Sequence, residues 1–354
     1  MIVRFLDNLP VTIRLSTEKM IVMGQNLRIK LTKLTPKLPE AVISSLLEQV
    51  ESYHDAQVET SRPACLYCGN THIVKNGHKC GKQEYRCKDC GRTFVSTTNT
   101  IMSGSHQSRE LWEEVISDIL RGNAIDYSVK RLGLSHDCVF HMRHKILFAL
   151  NEESVQDPVI LKDVAELDET YVLESYKGKA IPDEAGRKAR KHGAKAQKRG
   201  ISSEYICICT GIERKGSAFA ASVNRARPSI DELKEVFTGH IADETLVLCD
   251  GLHGYSSLEE LAKCSVKDVS SEPEDRFYNL NTVNGYHSFI KKRYNFYKGV
   301  ATKFLNRYNV LFGMTYGKSM FELVDRICEK LLTVTTMDRF HPVHEAEKSN
   351  LLWL

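Results

Sequence analysis

The sequence predicts an α/β domain built on a mixed sheet, preceded by a small cysteine-stapled ribbon and a helix-turn-helix segment. Three observations carry this prediction. Two C-x2-C pairs, Cys65/Cys68 and Cys87/Cys90, stand eighteen residues apart. Residues 105–152 hold three stretches of helical apolar period separated by turn signals. From residue 160 onward the order is strand, basic loop, strand, strand, helix, strand, helix, strand, helix.

The bulk numbers fit that plan. A chain of 354 residues has room for two or three domains, and 42% hydrophobic residues support a real core. No apolar run nears the ~20 residues of a membrane span, so no membrane partner is expected. The first 24 residues are broken by charges and Pro10 and do not read as a signal peptide. A cytoplasmic location follows as an expectation. Eleven cysteines without an export signal point to a reducing compartment, and to metal rather than disulfides. The formal charge of +4 is uninformative, but residues 177–199 hold nine Lys or Arg against two acids, a block suited to a polyanion.

Residues 1–60 form an N-terminal extension in which "LPEAVISSLLEQVESYH" (38–54) reads as an amphipathic helix. Residues 61–100 form the ribbon. A C-x2-C turn offers two thiolates from one knuckle, and two knuckles complete a tetrahedral Zn²⁺ site of Cys65, Cys68, Cys87 and Cys90. Gly69 and Gly91 follow each second cysteine, as a tight turn requires. Cys80 reads as a bystander. Such ribbons bind DNA, RNA or protein, so the metal is structural and leaves the partner open.

In residues 105–152, Leu111, Trp112, Val115, Ile116, Ile119 and Leu120 make one apolar face. The stretch "DYSVKRLGLS" gives a short helix, a Gly133 turn and a Ser135 N-cap. The helix after it carries His136, His141, Arg143, His144 and Lys145 as candidate DNA contacts, over a core of Val139, Phe140, Ile146, Leu147 and Leu150. A plain three-helix packing unit would look similar; the neighbouring ribbon favours DNA.

Residues 160–334 form the α/β domain, with 335–354 as a tail. In "VAELDETYVLES" Val164, Glu166, Asp168, Thr170 and Val172 share one strand face. An acid inside such a strand is costly unless it binds something. Glu166 reads as supporting Asp168 from behind. Glu169 points the other way and reads as pairing a base or capping the strand. A second acid, Asp250, ends the apolar run "TLVLC", 82 residues after Asp168. Asp-Gly after a strand is also an ordinary turn, so the pair tells more than either member. Phosphodiester chemistry explains a pair of strand-borne carboxylates, because two Mg²⁺ ions about 3.5–4 Å apart need rigid oxygen ligands. On "VNGYHSFIK", Asn284, His287 and Lys291 fall at i, i+3 and i+7, one helix face that can meet the sheet. That face also fits a solvated polar stripe.

These motifs together resemble bacterial insertion-sequence transposases of the DDE class with an N-terminal zinc ribbon, the fifteen-ninety-five group. The resemblance spans roughly residues 60–315 and rests on "CLYCG…YRCKDCGRTF", "RHKILFAL", "ELDETYVLESYKG", "QKRGIS", "LCDGLHGY" and "VNGYHSFIKK…GVATKFLNRY". It implies a ribonuclease-H-like catalytic domain. It implies Asp168 and Asp250 as the first two metal ligands, His287 where many members have Glu, and Lys291 on a DNA phosphate. Mg²⁺ or Mn²⁺ would be the catalytic ion, with the imidazole shifting preference toward Mn²⁺. The partner would be double-stranded DNA, held at the element ends and target by at least a homodimer. The phosphate contacts expected are Arg143, Lys145, Lys188, Arg190, Lys191, Lys198, Arg199 and Lys291. Two rivals stay open: a DNA-binding regulator with an inert C-terminal domain, and a nuclease of the same fold that cuts without joining.

Overall fold

The computed structural model describes residues 64–79, 81–185, 187–188, 196–214, 216–251, 254–270 and 276–333. The expected helix 38–54, the tail 335–354, Cys80, Arg190, Lys191 and the acids within 271–275 lie outside them. The chain divides into two units, through Thr98 and from Asn99 onward.

The first unit is a three-stranded antiparallel ribbon: β1 (Ile73–Lys79), β2 (Lys82–Cys87) and β3 (Thr93–Val95). Its buried core is Cys65, Ile73, Cys87 and Phe94, with Tyr85 stacked on Phe94. Two of those four residues are cysteines of the C-x2-C pairs, so core and knuckle are one structure.

The second unit opens with α1 (Arg109–Arg121), α2 (Ile125–Leu132) and α3 (His136–Gln156). Ser108 caps α1 by accepting from the Leu111 N–H, and Gly122 and Gly133 end α1 and α2 in the left-handed region. The sheet follows: β4 (Val164–Leu173), β5 (Tyr205–Glu213), β6 (Ala218–Arg225), β7 (Leu246–Cys249) and β8 (Ser265–Asp268), in the order β6-β5-β4-β7-β8. Strands β4, β5 and β6 pair antiparallel, while β7 and β8 run parallel to β4. This is the ribonuclease-H-like order.

Strand β5 is an interior strand buried on both faces, which is why it reads as a run without alternation. Its Cys207 and Cys209 face a core with Leu233 and Phe237 of α4 (Ile230–Phe237). Its Ile206, Ile208 and Ile212 face the opposite core, built by α5 (Asn281–Phe296), α6 (Leu305–Thr315) and α7 (Met320–Thr333). Helix α6 lies close on β6 because residue 313 is glycine; a Cβ there would meet the Ala218 carbonyl oxygen at 2.5 Å.

The helix-turn-helix expected as a separate segment closes no core of its own. Trp112, Ile116, Met142 and Leu150 belong to the same buried cluster as Tyr286, Phe312 and Leu331. No helix among the described residues is long and apolar enough to cross a membrane.

Candidate functional site

The alternation expected of β4 holds. Glu166, Asp168, Thr170 and Val172 look toward α5, while Ala165, Leu167 and Tyr171 look into the opposite core. Parallel pairing of β4 with β7 sets Glu166 opposite Leu248. Two residues further along each strand, Asp168 comes level with Asp250. Register alone therefore sets Asp250, just past the end of β7, beside Asp168 in the middle of β4, 82 residues away in the chain.

Both carboxylates are strained electrostatically. Burial lifts Asp168 to about 7, and the charge of Asp250 adds to the rise. Burial also raises Asp250, with Asp268 next in weight. Lys291 acts in the other direction, favouring ionised Asp168. Carboxylates held together against their own repulsion are the usual mark of a cation site.

Asp268 was not among the expected residues. It ends β8 opposite Cys249, and its Oδ1 accepts from the Gly251 and Ser270 N–H groups at 2.9 and 2.8 Å. It thereby fixes the turn that carries Asp250. Its signal is the one that marked Asp250, an acid at the end of an apolar strand, and it was available in "SVKDV".

Helix α5 delivers His287. The imidazole is buried, and burial followed by the charge of Lys291 lowers its pKa to about 4, so the ring is neutral at pH 7. Its tautomer follows from Thr210, a fully buried residue of β5. The Thr210 hydroxyl donates its one proton to the Asp168 carbonyl oxygen at 2.7 Å. Its oxygen lies 2.6 Å from His287 Nε2, so Nε2 carries the hydrogen and donates. Nδ1 is then a bare lone pair, and it faces Asp168 Oδ2 at 3.6 Å. Two acceptors facing each other are satisfied by a cation between them, and a ring whose far nitrogen is anchored is the usual form of a ligating histidine. Asp168 Oδ2 and Nδ1 of His287 are therefore two donors that could share a divalent ion, with Asp250 on the neighbouring strand.

Glu166 does not line this site. Its buried carboxylate accepts from Arg214 Nε at 2.7 Å, from the Thr282 and Val283 N–H groups at 2.8 and 2.9 Å, and from the Thr282 hydroxyl at 2.9 Å. It caps the helix that bears His287, two residues before Asp168 on the strand. Glu169 accepts a 2.5 Å hydrogen bond from Tyr255 on the other face. Lys291 is exposed one turn beyond His287, and Asn284 is exposed one turn before it.

The expected DNA contacts separate into two groups. Arg143 is buried, with its guanidinium donating to the Asn123 carbonyl at 2.7 Å and lying over the Tyr297 ring. His144 is buried too, and burial with the charges of Arg307 and Arg143 keeps it neutral. Lys145 is half-buried and donates to the Ser103 carbonyl at 2.8 Å. These three are corrected to packing residues, because α3 is an inner helix along its middle. His136 and His141 are exposed, as are Lys188, Lys198 and Arg199.

In the ribbon, the Cys65 and Cys90 sulfurs lie 3.6 Å apart and those of Cys68 and Cys87 3.7 Å. All four lie within 4.8 Å of one another. A tetrahedron with Zn–S of about 2.3 Å has edges of about 3.8 Å, so the cage matches the ion. Burial raises the Cys65 thiol, but N–H groups of Tyr67 and Cys68 outweigh it and bring it to about 7.

A mixed five-stranded sheet in this order, with helices on both faces and acids on its first strand and on the parallel strand beside it, is a ribonuclease-H-like fold. Residues 160–312 match the family model of the ISXO2-like transposase domain. An uncharacterized protein in transposable element ISH50 of Halobacterium salinarum is 22% identical over 248 residues, covering 69% of this chain and 82% of that one. Among solved structures, the Mos1 strand transfer complex covers 87% of this chain and 89% of its own at 11% identity, with a TM-score of 0.27. A pre-cleavage Mos1 transpososome covers 96% and 98%, at 11% identity and a TM-score of 0.25. Superpositions this loose add nothing to the geometry above.

Proposed function

We propose that the protein is a DNA transposase that binds the terminal inverted repeats of an insertion sequence, cuts at the element ends, and joins the freed 3′-hydroxyl to target DNA. The observation that carries this reading is the pair of acids on adjacent parallel strands, with Nδ1 of His287 3.6 Å from Asp168 Oδ2. An inert regulator would have no need to hold two acids together on a sheet and aim an imidazole at them.

Each residue has a stated task. Asp168 and Asp250 present carboxylate oxygens, and Thr210 holds His287 with Nδ1 outward. Divalent cations bound there would stabilise charge on the entering and leaving oxygens. Lys291 would grip a phosphate beside the cut, and Lys188, Lys198 and Arg199 would neutralise phosphates without reading sequence. In the first step water's oxygen bonds to phosphorus and the strand's 3′ oxygen leaves as a hydroxyl. In the second that hydroxyl bonds to a target phosphorus and displaces the target strand's own 3′ oxygen. Both are in-line displacements, so one site serves both. Sequence reading would fall to the ribbon and the exposed start of α3, where His136 and His141 stand. Two ends held together require at least two copies.

The test is strand joining by purified protein with a labelled element end bearing a 3′-hydroxyl and a circular target. Joining in Mg²⁺ or Mn²⁺ is expected, and Asp168→Asn and Asp250→Asn should each remove it while specific end binding persists. Cutting without joining would establish the nuclease instead. Loss of end binding in step with joining would overturn the separation of recognition from chemistry.

A further inference from the structure

Past the acids, β4 runs on to Leu173 and the chain turns away through Ser175 to Lys179. The end of α5 and the turn after it face that segment across a cleft of about 830 Å³. Its floor is apolar, with Val172, Tyr294, Val300 and Leu305. Its rim is cationic, with Lys177, Lys179, Lys291 and Lys298. The acid in the lining, Glu174, is buried and engaged by Arg225, by the Tyr176 hydroxyl at 2.8 Å and by Arg187 at 3.7 Å, so it does not cancel the rim. Lys177 fastens the two walls, donating to the Lys298 and Gly299 carbonyls at 3.0 and 3.1 Å. Lys291 belongs to both places: it lines the cleft, and its charge bears on Asp168 and His287. The cleft therefore begins where the site ends.

The two surfaces select between forms of DNA. A paired duplex offers phosphates outward and keeps its base faces stacked inside. It would use the lysines and leave the apolar floor wet. An unpaired nucleotide offers a phosphate and an apolar base face together, which is the combination that grooves for single strands recognise. The volume is also of the order that takes a ligand of nucleotide size, about 300–1,000 Å³. We propose that this cleft holds one or two unpaired nucleotides of the DNA strand next to the cut. The proposal rests on the reading of the acidic site as one that cuts DNA. It adds that the end is locally opened and that its displaced bases are stored along β4 and α5.

The experiment uses the full chain carrying Asp168→Asn, so that bound DNA is not cut. Fluorescence anisotropy compares a fully paired element end with the same end bearing three unpaired nucleotides at the cut. A 2-aminopurine at the first unpaired position reports burial of the base. The unpaired end should bind more tightly by on the order of tenfold, with the 2-aminopurine emission changed on binding. Adding Lys179→Glu and Lys298→Glu, both at exposed positions, should weaken binding to both ends through lost phosphate contacts and remove the extra affinity of the unpaired end. Equal affinity for the two ends overturns the proposal, as does a preference that survives the double substitution. Failure to bind either end specifically would count against the transposase reading itself, and the cleft proposal would fall with it.

Discussion

At the residue scale, the least obvious part of the site is Thr210. One hydroxyl settles which nitrogen of His287 is free, because it has a single proton and gives it to the Asp168 carbonyl. Anchoring groups of this kind typically change metal affinity by about 10–100-fold when removed. Thr210→Val keeps the shape but loses the acceptor for Nε2–H. It should weaken Mn²⁺ binding by about that factor in calorimetry, with Thr210→Ser close to the parent. Equal affinities for Val and Ser variants would mean that the hydrogen bond does not position the ring. Asp168, Asp250 and His287 stand out in the sequence as candidates because each breaks a local rule: an acid in a buried strand, an acid closing an apolar run, a polar stripe on a helix. Thr210 breaks none. A threonine in a strand is ordinary, and its role exists only because β5 brings it beside α5. Asp268 was legible by the same rule as Asp250 and was passed over.

At the element scale, the position of α5 depends on a contact that no local pattern reveals. Glu166 accepts four hydrogen bonds, three of them from the first turn of α5 and its flank, and the fourth from Arg214. The strand that carries Asp168 thus also holds the helix that carries His287. Glu166→Gln retains the volume but loses the charge that Arg214 and the helix N-terminus require. It should destabilise the unit by roughly 2–4 kcal/mol, and so lower its melting temperature by roughly 5–10 °C. Strand joining below that temperature should also fall, because α5 loses its fixed register. A variant that melts with the parent would show that Glu166 is not a clamp. The sequence placed Glu166 on the correct face and assigned it a neighbouring task. Helix α3 shows the converse error. Its basic residues read as a DNA-facing stripe, yet Arg143 and Lys145 spend their donors on backbone carbonyls. A 21-residue helix can be exposed at its start and buried through its middle, and a charge pattern alone does not say where it passes under other helices.

At the scale of the whole molecule, the two units draw their stability from different sources. The unit from Asn99 onward has two large apolar clusters on the two faces of one sheet. Among the described residues the ribbon has four buried apolar side chains, and two of these are cysteines of the C-x2-C pairs. A core that small cannot offset the chain entropy of the strands it orders, so a zinc ion held by the four cysteines would supply most of the ribbon's folding free energy. Zinc removal should therefore be selective. A zinc chelator, or Cys65→Ser with Cys87→Ser, should release one zinc per chain and abolish protection of the β1–β2 amides in hydrogen exchange. Amides of β4 and β5 should stay protected, and the emission of Trp112, on the buried face of α1, should not move. Specific binding to element ends should be lost with the ribbon, while salt-sensitive binding to any duplex persists through the exposed lysines and arginines of the second unit. Zinc content unchanged in the double substitution would mean that the four cysteines are not the site. Loss of β4 and β5 protection along with the ribbon would mean that the second unit depends on the first, and that the division at Thr98 is one of geometry and not of stability.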